Sequence, residues 1–317
     1  MEIITSLKDI QPIKESVITV GNYDGIHLGH QDVINYIVEF GKKNNIPSCV
    51  ITFDPNPYYV LRNDNKPINI QSTSSKLNIL EKMGVDKALV IPFTSEFSKL
   101  TATDFANNII KDIFNPKLIA VGTNHHFGFK KEGDIEFITD FCDKNNIELF
   151  IPEIRKIEEE AISSTIIRKL IQDGKLDSIP QLLGKFYGFE SSVVHGSHRG
   201  RLLNYPTANF VPLNKNQTPP QQGVYFSKVA LDGELFFGMC NIGFRPTFNE
   251  KKFVMEVHIL SNKFSDLYDK NFYIEFLLKI RDERKFDNQQ ELVEQIKKDE
   301  DVCIKLIDSF KEKYEVQ

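Results

Sequence analysis

Cysteine is scarce in this chain of 317 residues: Cys49, Cys142, Cys240 and Cys303 stand far apart, with no CxxC pair and no repeated spacing. That excludes a disulfide framework and a cysteine-built metal site, and it fits a reducing cytoplasm. Uncharged apolar runs long enough to span a bilayer are missing. Residues 1–8 lack the apolar stretch of a signal peptide, so a soluble cytoplasmic protein without a membrane partner is expected. Positive charge is not in excess either: 39 Lys and Arg against 44 Asp and Glu leave a net charge of −5. A general nucleic-acid binder would need a basic surface to neutralise phosphates. There is no GxxxxGK[ST] P-loop, no internal repeat and no low-complexity tract.

What is present divides into two patterns. At 17–20, 49–53, 88–91, 118–121 and 149–151, short apolar runs alternate with helical spacings such as Val33, Ile34, Ile37, Val38 and Phe105, Ile109, Ile110, Ile113. Such alternation predicts a parallel sheet covered by crossover helices, an α/β domain over residues 1–184. From about Lys185 the runs become rich in Val, Tyr and Phe, at 192–195, 223–231, 235–242, 253–260 and 272–280, with turn residues such as Asp232-Gly233 between them. Residues 185–317 are therefore expected to form a small antiparallel β-barrel. Helical periodicity returns over 288–310, with Leu292, Val293, Ile296, Ile304 and Ile307 on one face.

The stretch "GNYDGIHLGH" at 21–30 follows the first apolar run. Gly21 ends the strand, the chain turns through Asn22, Asp24 and Gly25, and Gly29 opens a helix. Free N–H groups and the positive end of the helix dipole suit a phosphate there, and His27 and His30 add imidazole donors. On spacing alone, capping or surface histidines are as open as phosphate chemistry, while two ligands of a metal would lack a nearby carboxylate-rich or cysteine partner. Further on, Ser163-Ser164-Thr165 before Ile166-Ile167-Arg168 reads as a capped helix start, and as a second anion site if Arg168 joins it one turn on.

In the second half, "VVHGSHRGRLLNYPTANF" at 193–210 sets Gly196 and Gly200 beside Arg199 and Arg201, a glycine-bearing turn with fork-shaped cationic donors. Thr207 and Asn209 then offer a hydroxyl and an amide oxygen two residues apart, which point the same way on an extended segment and suit Mg²⁺. Glu256 lies in the alternating stretch 254–259, sharing a face with Val254 and His258.

Four motifs in order, HxGH at His27-Leu28-Gly29-His30, "TFDPNP" at 52–57, "VGTNHHFGFKKEGD" at 121–134 and "ISSTIIR" at 162–168, resemble the adenylyltransferase half of prokaryotic bifunctional riboflavin kinase/FAD synthetases. "PTAN" at 206–209, "NIGFRPTF" at 241–248, "MEVHIL" at 255–260 and "LKIRDERKF" at 278–286 are similar to the riboflavin kinase half. The resemblance covers nearly the whole chain. It implies a Rossmann-like nucleotidylyltransferase domain and a riboflavin kinase barrel with terminal helices, acting on riboflavin, FMN and ATP with Mg²⁺. By position, it implies that His27 and His30 stabilise the ATP α-phosphate and departing pyrophosphate, with Gly21, Asp24, Gly29, Asn124, Ser163, Ser164, Thr165 and Arg168 holding nucleotide. Gly196, Arg199, Gly200 and Arg201 would serve the second ATP, Thr207 and Asn209 the metal, Arg281 and Phe286 the flavin, and Glu256 would be the catalytic base.

Four positions depart from the family pattern: Asn56 stands where histidine is common, His125-His126 where an aromatic and an arginine are usual, and Asn204 where glycine is usual. HxGH alone also serves adenylyl transfer to other phosphate acceptors, but those enzymes have no use for a PTAN half. A flavin-binding regulator without catalysis is the reading from another class; retention of His27, His30, Thr207, Asn209 and Glu256 argues against it. Nothing in the chain names a protein partner or a nucleic acid.

Overall fold

The computed structural model describes residues 1–8, 10–62, 66–157, 159–195, 205–246, 251–261 and 270–314. The chain divides into two compact units, Met1–Ser164 and Thr165–Gln317. The sequence reading ended the first domain at residue 184; residues 165–184 group with the second unit, where Gly174 closely approaches Gln221 and Lys279.

In the first unit, β1 (Glu2–Ile4), β2 (Ser16–Val20), β3 (Ser48–Asp54), β4 (Lys87–Pro92), β5 (Pro116–Ala120) and β6 (Glu148–Phe150) form a parallel sheet in the order β1-β4-β3-β2-β5-β6. Five of these lie on the apolar runs. The sequence reading missed β1, a three-residue edge strand with two exposed residues. Between the strands run α1 (Leu28–Asn44), α2 (Pro57–Arg62), α3 (Thr73–Lys82), α4 (Ala102–Asp104) continuing as a π-helix over Phe105–Phe114, and α5 (Ile135–Asn145). Successive strand residues feed opposite cores. Val17, Val50 and Leu118 pack with Val33, Ile34 and Ile37 of α1 and Leu80 of α3. Ile18, Val20, Ile51 and Ile119 pack with Phe105, Ile109 and Ile110 of the π-helix and Ile138 of α5. Burial on both faces is why these strands read as continuous apolar runs.

The strand order positions the site. From β2 the sheet grows one way through β3 and β4 and the other way through β5 and β6. Loops leaving the carboxyl ends of β2 and β5 therefore diverge, and a crevice opens between them. The loop after β5 is closed by Phe127 and Gly133, which exchange two N–H···O bonds of 3.0 Å. Its Gly128 has φ 73°, and a Cβ there would come within 2.6 Å of the Ala102 backbone nitrogen.

A short ribbon of β7 (Lys156–Ile157) and β8 (Glu160–Ala161) leads to α6 (Ser164–Gln172) and then α7 (Pro180–Leu183). Six antiparallel strands follow: β9 (Tyr187–Val194), β10 (Ala208–Pro212), β11 (Gly223–Leu231), β12 (Glu234–Pro246), β13 (Lys251–Ile259) and β14 (Asn271–Arg281). They close into a barrel in the order β10-β13-β12-β11-β14-β9. The Asp232-Gly233 turn joins β11 to β12 with both residues at positive φ, as a tight hairpin requires. β10 was not among the expected strands.

The last helix, Gln289–Tyr314, lays Ile296, Cys303, Leu306, Ile307 and Phe310 into the same apolar cluster as barrel residues Val224, Phe226 and Met239. Ile304, expected on that face, is 51% exposed. At 100° per residue the eight-residue step from Ile296 turns about 80° off the seam, whereas the seven-residue step to Cys303 leaves it by only about 20°.

Substituting alanine at Gly128 should destabilise the first unit by about 3 kcal/mol, since the left-handed backbone and the clash with Ala102 act together. Thermal unfolding followed by circular dichroism should register this as an earlier first transition, with the barrel's transition unmoved.

Candidate active sites

The corner between β2 and α1 contains three residues at positive φ: Tyr23 (50°), Gly25 (93°) and Ile26 (43°). A side chain at Gly21 would put its Cβ 2.9 Å from the Tyr23 ring, so only glycine leaves room for that ring under the turn. Four of the turn's carbonyls are taken by side-chain donors from other segments. The Asn22 carbonyl accepts from Lys76 Nζ at 2.7 Å and Thr52 Oγ1 at 3.2 Å, that of Tyr23 from Gln71 Nε2 at 3.3 Å, that of Asp24 from Ser164 Oγ at 2.8 Å and that of Ile26 from Gln31 Nε2 at 2.9 Å.

His27 is the N-cap of α1, its Nδ1 accepting from the backbone N–H of His30 at 3.3 Å. An accepting Nδ1 puts the ring proton on Nε2, which is left as a donor. The two imidazoles stack with centroids 3.6 Å apart, and the Tyr23 ring meets His30 edge-on at 5.0 Å. Burial pushes the His27 pKa down to about 4 and, with the neighbouring charges of His27 and Lys76, holds His30 well below the usual imidazole range. At neutral pH both rings are uncharged hydrogen-bonding groups. His30 Nδ1 is shielded from solvent and has no hydrogen-bond partner among the described residues.

These rings line a cavity of about 640 Å³ whose wall is drawn from residues 20 to 164. Polar lining comes from Gly21, Asn22, His27, Gly29, His30, Asn124, Ser163 and Ser164, together with the cationic Lys131 and Arg155. Arg155 Nη2 is bonded to Asp32 of α1 at 2.8 Å, and its Nε also meets that carboxylate. Aromatic lining comes from Phe53, Phe93, Phe97, Phe105 and Phe127, in successive ring contacts of 5.4 to 6.2 Å. His125 lies beside Phe127, its pKa lowered to about 4 by burial and by neighbouring His126.

Asp24 is not part of this wall. Its Oδ1 accepts from the backbone N–H groups of Ile70 (2.9 Å) and Gln71 (3.3 Å), which makes it a clamp on the segment leading into α3. Thr165 and Arg168 follow on α6 and also stand outside the wall. Asn56 is 9% exposed; its Oδ1 accepts from Tyr58 N at 3.1 Å and its amide reaches Asn69 Oδ1 at 3.3 Å, so the family departure is absorbed as a local cap on α2.

On the barrel, the register aligns three polar residues across adjacent strands: Asn209 of β10 faces Glu256 of β13, which faces Asn241 of β12. Cross-strand neighbours of this kind have Cβ atoms about 5 Å apart. Flanking residues Ala208, Phe210, Met255 and Val257 are buried inside the barrel, so the polar row lies on the opposite face of each strand. His258, two residues beyond Glu256 on the same face, bonds the Pro206 carbonyl at 2.8 Å and packs edge-on to Tyr205 at 5.4 Å. Tyr205 donates to Glu300 of the last helix at 3.0 Å. This anchors the entry to Thr207 and Asn209.

Thr207 and Asn209 supply two hard oxygen donors, and among the described residues no group of three or more His, Cys, Asp or Glu could hold a metal. Hydroxyl and amide oxygens are the kind of hard ligand that suits Mg²⁺. Arg281 is committed to Asp299 through Nε at 2.9 Å and Nη2 at 2.8 Å, and its guanidinium lies 5.9 Å from the Phe286 ring centre. Gly196, Arg199, Gly200, Arg201 and Asn204 lie outside the described residues. Sequence reasoning assigned no role to Asn241, His258, Lys76 or the aromatic lining; Asn241, His258, Phe53 and Phe127 sat in motifs that could have flagged them, and Lys76 did not.

The FAD synthetase family model matches residues 9–166 and the riboflavin kinase model residues 183–307. Curated proteins named bifunctional riboflavin kinase/FMN adenylyltransferase are similar over nearly the full length. One from Buchnera aphidicola subsp. Schizaphis graminum is 34% identical over 96% of this chain and 98% of the relative, and one from Bacillus subtilis is 33% identical over 94% of each. A crystal structure from Streptococcus pneumoniae described as a macrolide-efflux protein matches with a TM-score of 0.85 and 33% identity over 95% of this chain and 97% of the other. Among the described residues of this chain, no helix is long and apolar enough to cross a membrane. With both models in the order of the two units and relatives of one name aligned end to end, the chain belongs to the bifunctional riboflavin kinase/FMN adenylyltransferase family.

Proposed function

We propose that this protein makes both flavin cofactors in turn: the barrel phosphorylates riboflavin to FMN, and the first unit transfers AMP from a second ATP to FMN, giving FAD and pyrophosphate. The observation that carries the first-unit assignment is the uncharged, stacked His27–His30 pair at the N-terminus of α1, beside the crevice between β2 and β5. An oxygen of the FMN phosphate attacks the α-phosphorus of ATP while the bond to the bridging β-phosphate oxygen breaks. Negative charge then grows on the leaving pyrophosphate. His27 Nε2–H, an imidazole N–H of His30 and the free amides of the helix start supply donors fixed before the reaction begins. Ser163 and Ser164 line the same cavity for the triphosphate, and Asn124 for positioning nucleotide and flavin. The phenylalanine lining suits the flat isoalloxazine ring. Thr165 and Arg168, just beyond on α6, are assigned to the triphosphate by motif position.

In the barrel, the row of Asn209, Glu256 and Asn241 supports the kinase assignment. Glu256 takes the proton of the riboflavin primary hydroxyl as its oxygen attacks the γ-phosphorus and ADP leaves. Thr207 and Asn209 would hold Mg²⁺, which neutralises charge on the ATP phosphates when bound. Phe286, with Arg281 fixed by Asp299, is assigned to the flavin side.

Glu256→Gln should lower FMN formation by roughly 10²–10⁴-fold while FMN-to-FAD conversion persists. His27→Asn, which keeps a capping oxygen, should cut FAD formation by roughly 10²-fold and spare riboflavin phosphorylation. Chromatography of products from riboflavin plus ATP and from FMN plus ATP checks both; loss of both steps in either folded variant defeats the assignment. EDTA should stop both reactions, and added Mg²⁺ should restore them.

The histidines also predict a pH dependence of folding. With the His27 pKa near 4 in the folded protein and near 6.5 when unfolded, the unfolded state binds the proton first as pH falls. Stability is therefore complete above about 6.5 and drops toward pH 4. Urea midpoints across that range should show a shallower slope for His27→Asn than for the wild type.

A further inference from the structure

Lys76 is 4% exposed, on a helix whose neighbours in sequence gave no reason to bury a charge. Its Nζ bonds two neutral oxygens, the Asn22 carbonyl at 2.7 Å and Thr52 Oγ1 at 3.0 Å; among the described residues no carboxylate accepts a hydrogen bond from it. Asp24 and Asp54 act on it only as nearby charges, and burial still brings its pKa down to about 8. A buried ammonium lacking a close ion-pair partner costs stability, and an apolar isostere is often as stable or more so. Retaining lysine therefore calls for a role other than holding the fold.

We propose that Lys76 is a positioning residue for adenylyl transfer: its ammonium group anchors the Asn22 carbonyl, keeping the left-handed turn at 23–26 in place and presenting a fixed positive charge behind the two imidazoles. The proposal rests on the reading of the first-unit cavity as the FMN adenylylation site. Its geometry is direct. Asn22 lines the cavity, two residues separate it from Gly25, and the same turn ends in His27 as the cap of α1. Thr52 Oγ1 bridges, accepting from Lys76 and donating to the same Asn22 carbonyl. The charged or titratable groups facing this corner are His27, Tyr23 and Asp24 on the turn, Asp32 on α1, Lys76 on α3 and Asp54 at the end of β3. Of those acting on His30, Lys76 and His27 both favour the neutral ring. Removing the Lys76 charge favours protonation of His30, so that imidazole would titrate at higher pH.

The test uses the full chain and both reactions. Lys76→Met should stay folded and phosphorylate riboflavin at the wild-type rate, yet convert FMN to FAD at least tenfold more slowly. The acid limb of its kcat profile should move to higher pH, a change that loss of packing alone would not produce. Lys76→Arg, which keeps the charge, should hold the acid limb at the wild-type pH. A folded Lys76→Met with unchanged rate and pH profile overturns the proposal, as does a slow variant whose acid limb stays put. Should Lys76→Met fail to fold, a Lys76→Arg whose acid limb moves does the same. Wild-type protein that makes no FAD from FMN and ATP overturns the underlying reading; wild-type activity with an indifferent Lys76 overturns this proposal alone.

Discussion

The first unit depends on one constraint: the corner leaving β2 must hold a backbone that L-residues avoid. Tyr23 and the β-branched Ile26 both sit at positive φ, each at a cost of about 1–2 kcal/mol. Five side-chain hydrogen bonds to the carbonyls of Asn22, Tyr23, Asp24 and Ile26 oppose that cost. At about 1 kcal/mol net apiece they suffice, with little to spare. The donors come from β3, the entry to α3, α3 itself, α1 and the start of α6, so the corner is also where separate parts of the unit are tied together. Strain retained in this way leaves the helix start and both imidazoles preorganised before any substrate arrives.

Burial makes those imidazoles useful in a particular form. A charged histidine would attract the triphosphate more strongly in the ground state, but the apolar surroundings that depress the pKa values of His27 and His30 favour neutral donors. Hydrogen bonds from neutral groups strengthen as charge moves onto the leaving group, which is the differential that accelerates a reaction. The aromatic rings that also line this cavity set apolar surface beside its amides and hydroxyls.

The barrel solves its problem differently. No single loop within the described residues brings Asn209, Glu256 and Asn241 together; antiparallel register does. A one-residue slip of β13 would turn Glu256 to the inside of the barrel, and the buried alternation of Met255, Val257 and Ile259 prevents that slip. His258 and Tyr205 extend the same logic, linking the segment that leads into Thr207 and Asn209 to β13 and to the last helix through the Pro206 carbonyl and Glu300.

The sequence by itself determined the classes of the two units, most of their strands, and the short-range elements of each site. HxGH, the Asp232-Gly233 hairpin and the alternation around Glu256 are local patterns, and local sterics and periodicity decide them. It did not determine what the intervening residues do. Asp24 looks like part of a phosphate turn, yet its carboxylate serves the backbone of Ile70 and Gln71, 46 and 47 residues away. Arg281 looks like a flavin ligand and is bound to Asp299. Lys76 looks like a solvated helix residue and is buried behind the HxGH corner. Such assignments depend on which segments the sheet order and barrel register bring within 3 Å, and a hydrogen bond across fifty residues leaves no periodic trace in the chain.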